Sequence, residues 1–593
     1  MKIRNRGIDS LKGLSILAIL IYHFSPAMLK GGYIGVPLFF LIAGYLIANN
    51  TVKRDEKGNF SLKKYYTDRI LRIYPNLLIF LGFISLWAYF FAPGLLYGSA
   101  SEFMSIVFGY NNFWQISQNL SYFDRVANAS AFTHLWFLAI QLQFYALWPF
   151  VYFAYRKLKE RWNRAESIFL VIAILSMLGM TIGYLVKVDL STLYYHSFTR
   201  LSALMIGVWM GLGLRPKLVQ KLSFDKQNTF FVYIVIIASN LLFAFLLDGQ
   251  SANTYIWGLN FVTLTQAIWL FFTSQAGKDF PKLADNPVFA WFGTRSYELY
   301  LWHYAIFFLY RIKKIDNPLW IFSQFVLLLI LVEGTYRLGN WMAKIQNWKR
   351  PDQAKVAYIA IACSFIAYIG LSLAVVVPLA KPQEKTDLQG QLAENSQLVA
   401  NQNLSTSQTT SSVVTNGDIP TDQTTTSTSQ VVDINQLPIT MIGDSVLLGT
   451  FKELKATFPN SYIDAQESRQ AWDLPTLLNQ MIWDGNLADV VVIALGTNGY
   501  FSHDSAEEIM NILGPDRTVF WVNVYGVFLE WETATNEEIN YMASLYPNLH
   551  VIDWQSQVSQ NPDWLIEDGI HPDIIGRQAY ARIVEESIRA VLQ

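Results

Sequence analysis

Long apolar runs recur through the first 380 residues and then stop. Eleven of them are long enough to cross a bilayer as helices: 11–29, 33–50, 74–92, 136–155, 166–186, 198–214, 229–247, 256–275, 294–311, 318–341 and 356–379. The second and sixth are short and carry internal glycines or an arginine. Basic residues fall mainly in alternate loops. One set holds Lys2, Arg4 and Arg6, then Lys53 to Arg72, Arg156 to Arg164, Arg215 to Lys221 and Lys344 to Lys355. The opposite loops hold Lys30, Arg125 and Lys187, with an outlying group at Arg311, Lys313 and Lys314. This bias predicts a cytoplasmic N-terminus, and an odd number of spans places everything after residue 380 outside. The basic start leads into the first span without a small-residue cleavage site, so that span is expected to stay as an anchor.

Residues 381–435 are polar and rich in Ser, Thr, Gln and Asn, and predict a disordered tether with a reach of roughly 40 Å. The pattern then changes to short β-rich runs, ITMIGD, ADVVVIALG and TVFWVNVYG, separated by helical stretches. Residues 436–593 therefore predict a three-layer α/β domain with a flavodoxin-like parallel sheet. The expected organisation is a membrane domain at 1–380, a linker at 381–435 and an extracytoplasmic α/β domain.

Composition sharpens this picture by exclusion. The chain is 52% hydrophobic with 15% charged residues, too apolar for a soluble enzyme of 593 residues. A net charge of −1 offers no electrostatic footprint for nucleic acid. One cysteine, Cys363, excludes an internal disulfide and thiolate metal ligation.

Candidate chemistry lies in both halves. In the α/β domain, GDSV leaves Ser445 just after a strand, GTNG leaves Asn498 after another, and DGIHP sets Asp568 three positions before His571. Open parallel sheets bind ligands at the C-terminal ends of their strands. A serine hydroxyl needs a base, and the base needs a carboxylate to hold its tautomer. Ser445, His571 and Asp568 fit those roles, with Asn498 and the Ser445 N–H as oxyanion donors. The blocks GDS, GTN and DxxHP in this order resemble the SGNH hydrolase family over residues 438–593. That family usually supplies a glycine N–H from a second block. The counterpart here, in IDAQESRQ, is Ser468.

In the membrane domain, His23 lies near the outer end of the first span, with Lys12 eleven positions earlier and so on the same face. An intramembrane ionisable residue points to a pathway, and an interfacial histidine beside Tyr22 is the other reading. RGIDSLKGLSILAILIYH, GGYIGVPLFFLIAGYLI, DRILRIYP, HLWFLAIQLQFYALWP and RSYELYLWHYAIF resemble the acyltransferase 3 family over roughly residues 5–340. Departures are Ala43, often serine, Gln141 in place of a glutamate, and VEGTYR in place of a Glu-x-Pro block. Gln141 cannot act as a base. The resemblance implies transfer of an acetyl group from cytoplasmic acetyl-coenzyme A to an acceptor outside, with no tightly bound cofactor and no metal. Arg69, Arg72, Arg200 and Lys12 are then expected to hold the coenzyme, and His23 to act as base or acyl carrier. Positive-inside anchoring is the other reading of Arg69 and Arg72, and an internal ion pair that of Arg200. His134 and His303 are expected to be interfacial.

Together the halves resemble Gram-positive peptidoglycan O-acetyltransferases. That implies an acetyl-Ser445 intermediate and a cell-wall glycan acceptor, N-acetylmuramic acid above all. Another surface polymer as acceptor, a membrane-anchored glycan esterase, and a non-enzymatic anchor or channel are the alternatives.

Overall fold

The computed structural model describes residues 6–25, 28–91, 99–117, 130–213, 225–249, 251–280, 284–311, 317–345, 367–368, 370, 383–409, 436–527, 529, 531–566 and 568–593. The chain divides near residue 380 into two compact units.

In the first unit, eight described helices are long and apolar enough to cross a membrane, and they fall on eight of the eleven expected spans. The sixth and ninth spans are also helices, Ser197–Gly213 and Ser296–Arg311, of 17 and 16 residues. The eleventh, 356–379, lies almost wholly outside the described residues. Helix Ser167–Leu185 leaves Val171, Ile174, Leu175, Leu178, Ile182 and Leu185 exposed at three- and four-residue spacing. An uninterrupted apolar stripe of that kind is the face a helix turns to lipid. Elsewhere glycines let helix backbones meet. Gly44 of helix Gly35–Asp55 faces the Leu204 carbonyl, and Gly207 of helix Ser197–Gly213 faces that of Leu41. Any Cβ at either position would drive the two helices apart.

The second unit carries five parallel strands, β1 Ile439–Gly443, β2 Tyr462–Ala465, β3 Val490–Ala494, β4 Thr518–Val522 and β5 Leu549–Ile552, in the order β2-β1-β3-β4-β5. β1 and β3 are buried along their whole length, as strands covered on both faces must be. Side chains of β3 alternate between two cores. Val490, Val492 and Ala494 join Leu447, Phe520 and Val584, while Val491 and Ile493 join Ile509, Met510 and Trp521. The chain leaves β1 toward β2 on one side and pairs β3 on the other, so a crevice opens at the C-terminal ends of β1 and β3.

The expected disordered tether needs correction over its first half. Gln383–Thr409 is a helix. Leu388, Leu392 and Val399 on one face are buried in the core that also holds Leu447 and Leu448. Asn395 donates to the Leu448 carbonyl (2.8 Å), Gln391 to that of Gly449 (2.9 Å) and Gln402 to that of Ile463 (3.1 Å). Residues 410–435 lie outside the described residues.

Candidate active sites

Ser445 opens a five-residue helix, Ser445–Gly449, directly after β1. Asp444 caps it, accepting from the Val446 N–H (2.9 Å). His571 Nε2 lies 2.9 Å from Ser445 Oγ, and its Nδ1 lies 2.7 Å from Asp568 Oδ2. The other Asp568 oxygen accepts from the backbone N–H groups of Ile570 and His571, both at 2.9 Å. The carboxylate is therefore locked by the turn it sits in, and it holds the imidazole in turn. Ser445 and His571 are buried, and so is the side chain of Asp568.

Electrostatics suit a base. Burial pushes the His571 imidazole down, but the Asp568 carboxylate and its hydrogen bond outweigh this and hold it above the usual histidine range, with Asp444 and Glu467 adding to the rise. Burial raises Asp568, yet the charge and hydrogen bonds of His571 leave it below the usual carboxylate range. Asp444, fully buried, is pushed up to about 6 by desolvation.

A residue the sequence reading passed over links Asn498 to the end of β1. Arg469 donates to the carbonyls of Gly443 (3.2 Å) and Asp464 (2.6 Å) and pairs with the Asp464 carboxylate (2.5 Å). Its own carbonyl accepts from Asn498 Nδ2 (3.3 Å). Arg469 thus ties the ends of β1 and β2 to the loop after β3. Ser468, immediately before it, has φ of +61°, a conformation natural to glycine and strained for serine.

In the helical unit, His23 is half-buried and faces a second histidine. Its Nδ1 lies 2.9 Å from Nε2 of His303, which is fully buried, and His134 packs 5.5 Å from the His303 ring and is buried as well. His134 and His303, expected at an interface, are thus both buried within the helical unit. Both lie on the inward faces of their helices, where the WHY and THLW contexts, read one residue at a time, gave no sign of partners. Lys12 lies 4.0 Å from Asp9, one turn away on its own helix, and about 16 Å from His23 along the axis.

Arg69 donates to the Tyr65 carbonyl (3.0 Å) and lies over the Tyr65 ring, 3.5 Å from its centroid. Arg72 is exposed and within electrostatic reach of Glu298, a buried carboxylate that accepts from Asn76 (2.9 Å). Sequence reasoning missed Glu298, although it stands in the quoted RSYELY block. Arg200 does not join this group. Arg54 pairs with Asp68 (2.9 Å), which places Arg69 at the C-terminal end of helix Gly35–Asp55. Arg200 lies over the Tyr194 ring, which packs on Tyr33 just before that helix begins. The helix is about 30 Å long, so Arg200 cannot share a phosphate site with Arg69. Nor does an ion pair account for it: Nε donates to the Tyr194 carbonyl (2.7 Å), and Nη2 has no hydrogen-bond partner among the described residues. Gln141 donates to the Tyr145 hydroxyl (2.7 Å), and Glu333 of the VEGTYR block pairs with Arg295 and Arg337, both at 2.7 Å.

Comparison with known proteins gives a family model described as an acyltransferase domain, matching residues 5–333. The chain is 29% identical to the peptidoglycan O-acetyltransferase OatA of Listeria monocytogenes, covering 97% of both chains. It is 25% identical to the putative peptidoglycan O-acetyltransferase YrhL of Bacillus subtilis, over 98% of each, and 26% identical to the O-acetyltransferase OatA of Staphylococcus aureus, over 98% of this chain and 96% of that one. Among solved structures, the C-terminal catalytic domain of Streptococcus pneumoniae peptidoglycan O-acetyltransferase A matches at 23% identity, covering 26% of this chain and 94% of that one, with a TM-score of 0.25.

Proposed function

Since the chain belongs to the acyltransferase family, we propose that it moves acetyl groups from cytoplasmic acetyl-coenzyme A to hydroxyls of cell-wall peptidoglycan. The observation that carries this reading is the 2.9 Å contact of His571 with Ser445, in a chain whose other half is the acyltransferase domain. In this reading the N-terminus is cytoplasmic and the α/β unit lies outside. Arg69 and Arg72 hold the phosphates of coenzyme A at the inner face, where guanidinium groups pair well with phosphate. His23 serves the transfer within the membrane domain.

Outside, Ser445 Oγ attacks the acetyl carbonyl and gives its proton to His571, and the acetyl–donor bond breaks as the acetyl-serine ester forms. His571 protonates the leaving group. A sugar hydroxyl, the primary hydroxyl of N-acetylmuramic acid, then attacks the ester and loses its proton to His571, and Ser445 recovers it. Asn498 Nδ2 and the N–H groups of Ser445 and Ser468 stabilise the oxyanion. Water attacking the same ester would give an esterase instead, so exclusion of water during transfer decides the product.

The test is base-labile acetate on purified peptidoglycan from cells with the protein, without it, and with Ser445→Ala. Loss of acetate in the last two supports the reading. A rise in wall acetate without the protein would identify an esterase, and acetate changed only on another surface polymer would reassign the acceptor.

A further inference from the structure

His23 and His303 come from helices Arg6–Phe24 and Ser296–Arg311 and share a single hydrogen bond, Nδ1 of the first to Nε2 of the second. Which ring donates is settled at the far side of His303. Its Nδ1 faces the carbonyl oxygens of Leu299 (2.8 Å) and Tyr300 (3.0 Å). Carbonyls only accept, so that nitrogen carries the proton. A second proton would bury a charge beside the His23 and His134 rings, which is costly. His303 is thus neutral, with its lone pair on Nε2, and His23 donates through Nδ1–H. The basic nitrogen of His23 is then Nε2.

We infer that His303 is a positioning residue that fixes His23 in its Nδ1-protonated tautomer and so presents the Nε2 lone pair to the acyl-transfer step. This rests on the role proposed above for His23. His303 does for His23 what a carboxylate does for the base of a serine triad, without burying a charge in the membrane domain. The walls of the site hold both rings in place. Tyr304 meets His23 edge-on at 5.1 Å, and Phe307 meets His303 at 6.2 Å. His134 bonds the Leu301 carbonyl (3.2 Å) through its own Nε2 and takes no part in the pair's proton.

The experiment measures thiol release from acetyl-coenzyme A by the purified full-length chain in proteoliposomes supplied with glycan acceptor. His303→Leu is expected to lower kcat at least ~100-fold, the scale of a positioned base, with KM for acetyl-coenzyme A within about threefold. His303→Gln, whose side-chain carbonyl reaches the Nε2 position, is expected to regain at least about tenfold over the leucine variant. The double variant H23A/H303L should be no slower than H23A, because His303 acts only through His23. Near-normal kcat in His303→Leu would overturn the inference. So would a glutamine variant as slow as the leucine one at equal melting temperature, or losses that multiply in the double variant. If the leucine variant does not fold, His303→Asn replaces it, since its shorter amide cannot reach His23 and should stay slow where glutamine recovers. Full activity in His23→Ala would instead remove the proposed role of His23, whereas an inactive His23→Ala beside an active His303→Leu would remove only the role of His303.

Discussion

At the scale of single residues, the serine site makes predictions that depend on sign as well as size. Ser445→Ala, His571→Ala and Asp568→Ala should each cripple turnover of a chromogenic acetyl ester, and double variants should be little worse than singles. Wild-type turnover by Ser445→Ala would reject the nucleophile. Only neutral His571 accepts a proton, and its pKa is raised, so activity should climb with pH through a midpoint above 6.5. Asp568→Asn removes the charge that favours the protonated ring and leaves burial, which disfavours it. The acidic limb should then move to lower pH while the plateau falls. Asp444→Asn keeps the cap on Val446 but removes a smaller contribution of the same sign. Its limb should move down less, with the plateau nearly intact; a limb moving upward in either variant would contradict the electrostatics. Ser468 gives a backbone prediction. At φ of +61° a side chain costs about 1–2 kcal/mol that glycine avoids. Glycine's greater entropy when unfolded returns roughly half of that. Ser468→Gly should therefore match or slightly exceed the parent in melting temperature and retain kcat. The β-branched Ser468→Val should lower both, and a stable, active valine variant would mean that the loop does not need this conformation.

At the scale of elements, the helix Gln383–Thr409 changes what counts as the catalytic domain. Its buried residues fall at 388, 392, 395 and 399, a four-three-four spacing that puts them on one face. Through Asn395 and Gln391 the helix donates hydrogen bonds to the last carbonyls of the helix that Ser445 begins. A fragment beginning at residue 436 should therefore melt below one beginning at 383. In the longer fragment, Leu392→Ala should cost about 2–5 kcal/mol and lower Tm by roughly 5–15 °C. Equal melting of the two fragments would show that the helix does not dock. Why was it illegible in the sequence? Composition averaged over 381–435 was dominated by the Ser/Thr-rich stretch after residue 404, which hid a shorter periodic segment with only three apolar anchors. The strands, by contrast, could be read directly, because β1 and β3 are buried on both faces and so appear as unbroken ITMIG and VVVIA runs. Ser445 was legible because it directly follows β1, and Asp568 and His571 because one short turn holds both. Arg469, Glu298 and the His23–His303 pair were not, since each owes its meaning to residues distant in sequence: Asn498, Asn76, and a partner 280 positions away.

At the scale of the whole molecule, the chain divides its polar chemistry between two units of different solvent. One is a helical bundle whose outward faces are apolar, the other an α/β sheet with a buried serine site. Each unit can therefore be silenced alone. Reporter fusions at residues 60 and 400 should score on opposite sides of the membrane, and same-side scores would remove the extracytoplasmic placement of the serine site. The stronger test separates the chemistries. If the membrane domain supplies acetyl, His23→Ala should abolish acetate on wall glycan in living cells. The same full-length variant should still turn over an added acetyl ester at Ser445, since His23 and Ser445 lie in different units. Ser445→Ala should lose both activities. Losing a positioned base costs at least ~100-fold in rate. A histidine that only packs would cost little, because Tyr22, Tyr304 and Phe307 would still line the same helix contacts. Normal wall acetate in cells carrying His23→Ala at equal expression would assign His23 to packing, and the source of acetyl for Ser445 would then lie elsewhere.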